Sequence, residues 1–454
     1  MDRGRINVIF MGICFCFLFT AYFTLTNLEK IFLVSVKNEV PDYTGDGYYS
    51  QALISIMCGV SMWISPAVCN VLGSKATMFV GALCFIVFIC SFFFSITWLL
   101  YVASGLVGSG AALLWTGQSA YLILNSNQTT LETNLGLFFV LYQSGAFIGN
   151  LVIYFLFTDK TYIDAETRNL VLVFVSVVVT LGTVLLLFLP HYEKEDLLDL
   201  DKKGNESNDI VIQKKLAKDS ALIQSIESPF QTFKKGWKII VSVDVLILLF
   251  MFFNIGFSYI FTIVYNSCLG FTRAIPKAVE MLPFAGLMSG IGGMVGGILP
   301  AIIKPELPLP FNIRPLMLLA FICYVTSYVI AFLNFPDSSI FGYTYDKAYI
   351  HSSAYLGILG SLLLHIGEVV YNNETAVLLA KLFPNDTVSA FAVFLFCKNC
   401  FSALTFTGSN FAGLHTQLLC LTGFLLLGTL SFWCVSKRLH RRRIEKSIAG
   451  VPLP

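Results

Sequence analysis

Three ionisable side chains lie within stretches of apolar residues, where charges are rare. Glu368 and Glu374 fall in the apolar segment 353–380, and Lys398 falls in the next one, 386–407. A charge inside a bilayer costs at least about 2.5 kcal/mol on insertion scales, so such residues normally line a cavity or form pairs. We predict that Lys398 pairs with Glu374 or Glu368 in a central polar cavity. That pair is either a substrate or ion site or an ion pair that fixes helix register.

Other polar and aromatic residues in apolar segments are weaker candidates for the same cavity. Helical spacing puts Asn372 on the face of Glu368, and Tyr371 on the face of Glu374. For Gln118, Gln143, Thr116 and Tyr121, an interhelical hydrogen bond is the favoured alternative to a ligand contact. The predicted substrate-binding residues are Glu368, Glu374, Lys398, Gln118, Gln143, Asn372, Trp115 and Tyr371.

Charged residues at helix ends call for a separate interpretation. Glu29 and Lys30 stand at the outer end of the first apolar segment, where long side chains can reach water. We expect them to extend to the surface in this way, with an outer gate as the alternative. Asp244, near the inner end of the seventh apolar segment, has the same interpretation.

The elements that must position these residues are membrane helices. The chain is 56% hydrophobic and only 12% charged, with mean hydropathy +0.76 and 42 phenylalanines. Soluble domains carry roughly twice that charged fraction. The polar side chains are too few to cover the surface of a soluble protein of this length, so lipid must be the outer solvent. The net charge of +2 gives no reason to expect a nucleic-acid partner.

Twelve stretches are long and apolar enough to cross a bilayer, which takes about 20 residues. They are residues 7–29, 48–72, 76–97, 99–124, 134–158, 169–190, 239–266, 278–302, 315–334, 353–380, 386–407 and 412–435. The predicted fold class is therefore an all-α membrane bundle of about twelve helices in two six-helix halves.

A single long polar segment divides the chain. Residues 1–190 form the predicted N-terminal half, 191–238 a flexible cytoplasmic linker, 239–435 the C-terminal half, and 436–454 a basic cytoplasmic tail. The linker is rich in charged residues and poor in aromatic ones, so it cannot bury enough apolar area to fold alone. Within it, Ile210–Leu222 is a candidate for a short surface helix.

Basic residues predict the orientation. Most of the 29 lysines and arginines fall on one side if both termini are cytoplasmic. The tail segment Lys437–Arg443 would attract anionic lipid. Glu193–Leu198 has the form of an acidic dileucine sorting signal, so the plasma membrane and endosomal or lysosomal membranes both stay open.

Internal similarity suggests a duplication. Laying the fourth apolar segment on the tenth, and the fifth on the eleventh, places Trp115 on Tyr371, Gln118 on Glu374 and Gln143 on Lys398. Glycines separated by four positions recur at Gly286/Gly290, Gly292/Gly296, Gly293/Gly297 and Gly145/Gly149. Close helix packing is the favoured explanation for them, and sliding during transport is the alternative.

Enzyme motifs are missing from the sequence. It contains no P-loop, no G-x-S-x-G and no H-E-x-x-H, and it has only 5 histidines. The 12 cysteines lie almost entirely in apolar runs, which favours free packed thiols. We therefore predict no enzyme activity, no catalytic residues, no metal and no cofactor.

Several motifs resemble those of Unc-93-like proteins. The run Gly108–Gln118 resembles their fourth helix, and Tyr142-Gln143-Ser144 with Gly149-Asn150 resembles their fifth. The segments Gly47–Tyr49, Leu72–Lys75 and Phe391–Phe394 also fit. The resemblance implies the major facilitator fold. It also implies a relation to regulators of potassium channels and to an escort of nucleic-acid-sensing receptors.

The chain departs from ordinary major facilitator transporters at three motifs. Asn70 and Val71 stand where the loop after the second helix usually carries Asp and Arg, and Ser104 stands where many proton-coupled members carry Arg. The antiporter proline is missing within Gly145–Gly149. These departures argue against ordinary proton coupling. The sequence predicts a transporter or facilitator of a small solute, with a non-transporting partner of a membrane channel or receptor as the alternative.

Overall fold

The computed structural model describes residues 3–126, 130–157, 163–190, 229–303, 315–384 and 386–448. Within these ranges the chain is built from helices. The first half contains α1 (Arg3–Glu39), α2 (Gly47–Ser61), α3 (Ser65–Leu72), α4 (Ser74–Ser91), α5 (Thr97–Leu124), α6 (Leu131–Leu156) and α7 (Ala165–Leu186).

The second half follows the same plan. It contains α8 (Pro229–Ile240), α9 (Val243–Phe271), α10 (Ala278–Ile302), α11 (Pro315–Asn334), a short 3-10 helix (Asp337–Ile340), α12 (Ala354–Leu382), α13 (Thr387–Ser409) and α14 (Leu414–Ile448). In the described ranges, 11 helices are long and apolar enough to cross a membrane, or 12 if α2 and α3 count as one span. The predicted all-α, multi-span fold class is confirmed.

The predicted second span is broken. The chain bends by 65° between α2 and α3, at residues 62–64. Pro66 lies in the first turn of α3. A proline there lacks the N–H that would continue the preceding helix, and it disfavours helical geometry in the residue before it. The bend places Trp63 against Phe396 of α13, with ring centroids 5.7 Å apart.

Each half has its own packed interior. In the first half α1 packs on α6 and α7, and α4 packs on α5. In the second half α12 packs on α10 and α11, and α9 packs on α14. The halves meet mainly where α2 contacts α13 and where α6 contacts α10. Tyr48 of α2 and Trp63 of the bend that follows it belong to the buried cluster of the second half, so this segment joins the two interiors.

Glycines set the closest approaches, as predicted. A Cβ on Gly145 would lie 2.6 Å from the carbonyl oxygen of Cys16, so α6 rests on the backbone of α1. A Cβ on Gly292 would lie 2.5 Å from the carbonyl oxygen of Leu362 in α12. Side chains are excluded at such positions because the neighbouring backbone occupies the space. Gly286 similarly faces the amide of Asn150 across the boundary between the halves.

The two ends of the bundle differ. We call the end with Arg3 and the segment Lys437–Arg443 the terminal face, and the end with Asp46 and Asn410 the distal face. In the distal half of the bundle α6 and α10 touch, since Gly286 lies against Asn150, and the contact continues to Gly290 and Phe147 at mid-height. Toward the terminal face they are further apart. There, no heavy atom of the described residues lies within 4 Å of a Cβ built on Gly297.

The divide between the halves is partly described. The last residues of the predicted linker form α8, an amphipathic helix whose Gly236 lies against Trp63 and against Val393 of α13. The predicted surface helix Ile210–Leu222 and the sorting motif Glu193–Leu198 lie outside the described residues. The predicted tail is helical up to Ile448, because α14 continues past the apolar segment.

Candidate functional site

Lys398 lies in the interior of the bundle on α13. Its ammonium stands 4.7 Å from the ring centroid of Tyr259 on α9, and its side chain is half-buried. In the described chain no carboxylate oxygen lies within 4.0 Å of this ammonium, so the predicted direct pair with Glu368 or Glu374 is not formed. The aromatic ring offers the cation a partner by its negative face.

Glu368 lies across the same space on α12. Its carboxylate is within electrostatic range of Lys398, Tyr259 and Tyr142. His365 stands one turn away on the same helix and also interacts electrostatically with Glu368. The two opposite charges therefore lie in one region without forming a direct ion pair.

The packing around α9 is looser at three positions. Helix α9 is the most enclosed membrane span of the second half, because 72% of the residues in its most apolar 18-residue stretch are buried. Between Met251 and Phe271 the side chains that are not buried are Phe253, Tyr259 and Ile263. Phe253 packs against Phe401 and Phe424. Tyr259 is the partly exposed residue of α9 that contacts Lys398.

An aromatic wall closes the first-half side of the space. Tyr142 of α6 packs edge-on against Trp115 of α5, with ring centroids 5.2 Å apart, and against Phe19 of α1 at 4.6 Å. Phe23 lies 5.6 Å from the Tyr142 ring. Trp115 thus packs against Tyr142, and its role in substrate binding stays a prediction.

The weaker candidates Gln143, Asn372 and Gln118 differ in their contacts. The amide nitrogen of Gln143 faces Gly293 of α10, and the side-chain oxygen of Asn372 is buried without a hydrogen-bond partner in the described chain. Gln118 is buried and accepts a 3.2 Å hydrogen bond from Ser119.

Two further predicted residues, Tyr371 and Glu374, are buried on α12. The hydroxyls of Tyr371 and Thr429 of α14 lie 2.7 Å apart, and the Tyr371 ring packs edge-on against Tyr324. Tyr371 is therefore part of the packing of the second half. Glu374, three positions on, is buried. A role for either in substrate binding stays a prediction.

A second polar cluster closes the distal face. Lys30 of α1 forms an ion pair with Asp46 at 2.5 Å and a hydrogen bond with Asn410 at 3.3 Å. Asn410 in turn donates to Asp46 at 3.0 Å, and the ammonium lies 4.1 Å from the centroid of the Tyr48 ring. We call Lys30, Asp46 and Asn410 the distal latch. It joins the halves, because Asn410 follows α13.

The expected surface position of Glu29 and Lys30 is wrong. Their exposed fractions are 1% and 7%. The segment 40–46 returns over the end of α1, and Asn410 of the other half covers Lys30, so neither side chain reaches water. The alternative of an outer gate is the one that this geometry favours.

Asp46 stays ionised in this setting. Burial raises the pKa of its carboxyl, but the charge of Lys30 and hydrogen bonds from Lys30, Asn410 and the Tyr49 backbone outweigh it, so the net pKa is lowered. Asp46 also caps α2 by accepting from the backbone N–H groups of Tyr48 and Tyr49. The Asp46 carboxylate thus stabilises both the start of α2 and a contact between the two halves.

Asp244 is also buried, contrary to the expected surface position. It is 8% exposed and pairs with Arg442 at 2.6 Å and with Arg438 at 3.3 Å. Two of the basic residues assigned to lipid binding therefore bind the start of α9. The extension of α14 as a helix places them there.

Sequence reasoning missed several residues of these sites. Tyr259 and Tyr142 stand in apolar helices, where a tyrosine gives no stronger signal than packing. Asp46 and Asn410 lie in loops that are far apart in the sequence. The one available signal is the run Tyr142-Gln143-Ser144, whose resemblance to a family motif says nothing of its chemistry.

Comparisons with known proteins agree with this architecture. A sequence profile described as "Ion channel regulatory protein UNC-93" matches residues 40–433. The UNC93-like protein MFSD11 of Xenopus tropicalis is 29% identical over 446 residues, covering 97% of this chain and 98% of that protein.

Solved structures share the fold. A bacterial homologue of the human drug peptide transporters has a TM-score of 0.62 at 14% identity, over 99% of this chain and 100% of that one. A point mutant of the nucleoside transporter NupG has a TM-score of 0.63 at 14% identity, over 95% of this chain and 100% of that one. The expected major facilitator-type bundle is confirmed.

Proposed function

We propose that this chain, which belongs to the UNC-93 family of membrane proteins, carries a small zwitterionic solute through the space between its two halves. The observation that carries the proposal is the separated charge pair: Lys398 rests on Tyr259, while Glu368 faces the same space from α12. A solute with a carboxylate and an ammonium group would satisfy both charges.

Desolvation favours this type of solute. An unpaired charge in the membrane interior costs several kcal/mol or more, so a site that keeps two charges apart gains when a ligand bridges them. Tyr142 and Tyr259 would line the apolar part of the ligand. One solved neighbour is a homologue of drug peptide transporters. Short peptides and amino acids carry both charges, which makes them the first solutes to test.

The closed distal face and the separation of α6 from α10 support a carrier cycle. The space is shut by the distal latch and opens toward the terminal face. With the terminal face in the cytoplasm, as the basic residues favour, this is an inward-facing state. An epitope tag on the N-terminus should then be stained in cells only after permeabilisation.

Ligand binding is the direct test. The purified protein is heated with a library of amino acids, dipeptides and their singly charged analogues, and the melting temperature is measured. A ligand that binds only the folded state at 100 times its Kd adds about 2.7 kcal/mol of stability. We expect a rise with zwitterions that is lost in Lys398→Met and in Glu368→Gln.

Lys347→Met is the matched control, because Lys347 is an exposed lysine of a distal loop. It should keep the full response. A response that survives both cavity substitutions, or no response across the library, would contradict the proposal. Uptake of the binding solute into proteoliposomes then separates transport from mere binding.

The second candidate is a non-transporting regulator of an ion channel, which the description of the family profile favours. In that case a channel co-purifies from mild detergent. Lys398→Met would leave that association intact, whereas a transporter that lacks a partner would show no such association.

A further inference from the structure

Glu29 is the buried charge that the proposed transport site leaves unused. It is 1% exposed and lies beside Lys30 on α1. One carboxylate oxygen, Oε2, accepts a short hydrogen bond from the amide nitrogen of Gln51 on α2. The other, Oε1, is buried and has no hydrogen-bond partner in the described chain.

The neighbouring cation does not neutralise Glu29. The Lys30 ammonium points to Asp46 and Asn410, so two carboxylates share one positive charge. The groups that face Glu29 from the elements packed around it are Lys30 and Tyr22 of α1, Tyr43 and Asp46 of the loop, Ser50 and Gln51 of α2, and Tyr101 of α5. Among these groups Lys30 is the sole cation.

The position that usually carries an arginine holds a hydroxyl here. Ser104 of α5 is hydrogen bonded to Ser50 at 2.8 Å, and Ser50 faces the Glu29 carboxylate. An ionised Glu29 would therefore be a buried charge without a cation of its own, which costs several kcal/mol. A proton removes that cost, and its O–H supplies a donor.

A metal ion fits the same position poorly. Na⁺, Ca²⁺ and Mg²⁺ take several oxygen ligands. Gln51 turns its N–H group, and not its oxygen, toward Glu29. No group of three or more metal-binding side chains occurs among the described residues.

We infer that Glu29 is a proton-binding site whose occupancy is coupled to closure of the distal face. Closing the distal latch buries Glu29 with a proton bound, and opening it admits water to the carboxylate and releases the proton. Acid therefore favours the closed distal face, and base favours the open one. The role of this proton in a transport cycle rests on the proposed function, but its binding does not.

The test uses the full chain in lipid nanodiscs, with the proton as the probe. Infrared difference spectra over a pH titration report the C=O band of a protonated carboxylic acid. Hydrogen exchange of segments 40–51 and 406–414, corrected for intrinsic rates, reports opening of the distal face. We expect a band component that Glu29→Gln removes, and slower distal exchange on acidification.

Glu29→Gln mimics the protonated form, so its distal exchange should be slow and independent of pH. Glu39→Gln is the matched control, since Glu39 lies on the same helix, is exposed and pairs with Arg168. It should keep the band and the pH response. Gln51→Ala, which removes the hydrogen bond that favours the ionised form, should move the titration to higher pH.

Two results overturn the inference: an unchanged set of carboxylic bands in Glu29→Gln, or the same pH response in Glu29→Gln as in the wild type. The proposed function fails separately. If Glu29 titrates as stated but no solute binds, the proton site stands and transport does not. If solutes bind but Glu29 does not titrate, the proposed function stands and the proton site does not.

Discussion

Lys30 and Asn410 are separated by 380 positions in the sequence, yet the Lys30 ammonium donates to the Asn410 side-chain oxygen at 3.3 Å. Asn410 also donates to Asp46 at 3.0 Å, so one amide binds both members of an ion pair. Because Lys30 and Asp46 belong to the first half and Asn410 to the second, this amide holds the distal face shut.

Asn410→Ala should therefore loosen the distal face without unfolding either half. It removes two hydrogen bonds to charged groups, each worth about 1.5–3 kcal/mol. We expect faster hydrogen exchange in residues 40–51, with little change in α11 and α12. Thr407→Ala is the control, because Thr407 is exposed and bonds only to its own helix, at Ala403. Equal exchange in the two variants would contradict the role of Asn410.

Asp46 should contribute a pH-independent part of stability over the physiological range. Its folded pKa is lowered, so its contribution is complete above its unfolded pKa of about 3.9 and is lost as pH falls through the folded pKa. In a Glu29→Gln background, which removes the neighbouring proton site, the difference in melting temperature made by Asp46→Asn should be constant from about pH 8 to 5. It should shrink below about pH 4. A difference that already vanishes at pH 6 would show that another group controls it.

Gly145 should be intolerant of even a methyl group. A Cβ there would lie 2.6 Å from the backbone oxygen of Cys16, which cannot move aside without shifting α1. Gly145→Ala should lower the stability by roughly 1–3 kcal/mol, as overpacking does. Gly136→Ala on the same helix meets nothing within 4 Å among the described residues and should be neutral or slightly stabilising. Thermal unfolding in detergent measures both.

The helical spans could be predicted because apolar length is a local property. The segment predicted at 278–302 coincides with α10, and the one at 315–334 coincides with α11. The break between α2 and α3 was missed, because the apolar composition continues through Pro66 and hides the bend. The helical continuation of α14 was missed because basic residues signal the end of a span and not the end of a helix.

The candidate site was predicted only in part. Lys398 and Glu368 could be found because a charge in an apolar helix is conspicuous. Their separation could not, since side-chain distance depends on how α12 and α13 are placed around α9. Glu29 was assigned to the surface because helix ends usually reach water. Its burial depends on a loop and on Asn410, which no local pattern connects to it.

The last helix has a mechanical consequence. With 35 residues at 1.5 Å each, α14 is about 52 Å long and extends roughly 20 Å beyond a hydrocarbon core of about 30 Å. Arg442 and Arg438 clamp this extension to Asp244 at the start of α9, the helix that carries Tyr259. A partner that bound this basic end would therefore act, through these ion pairs, on the helix that lines the proposed solute space.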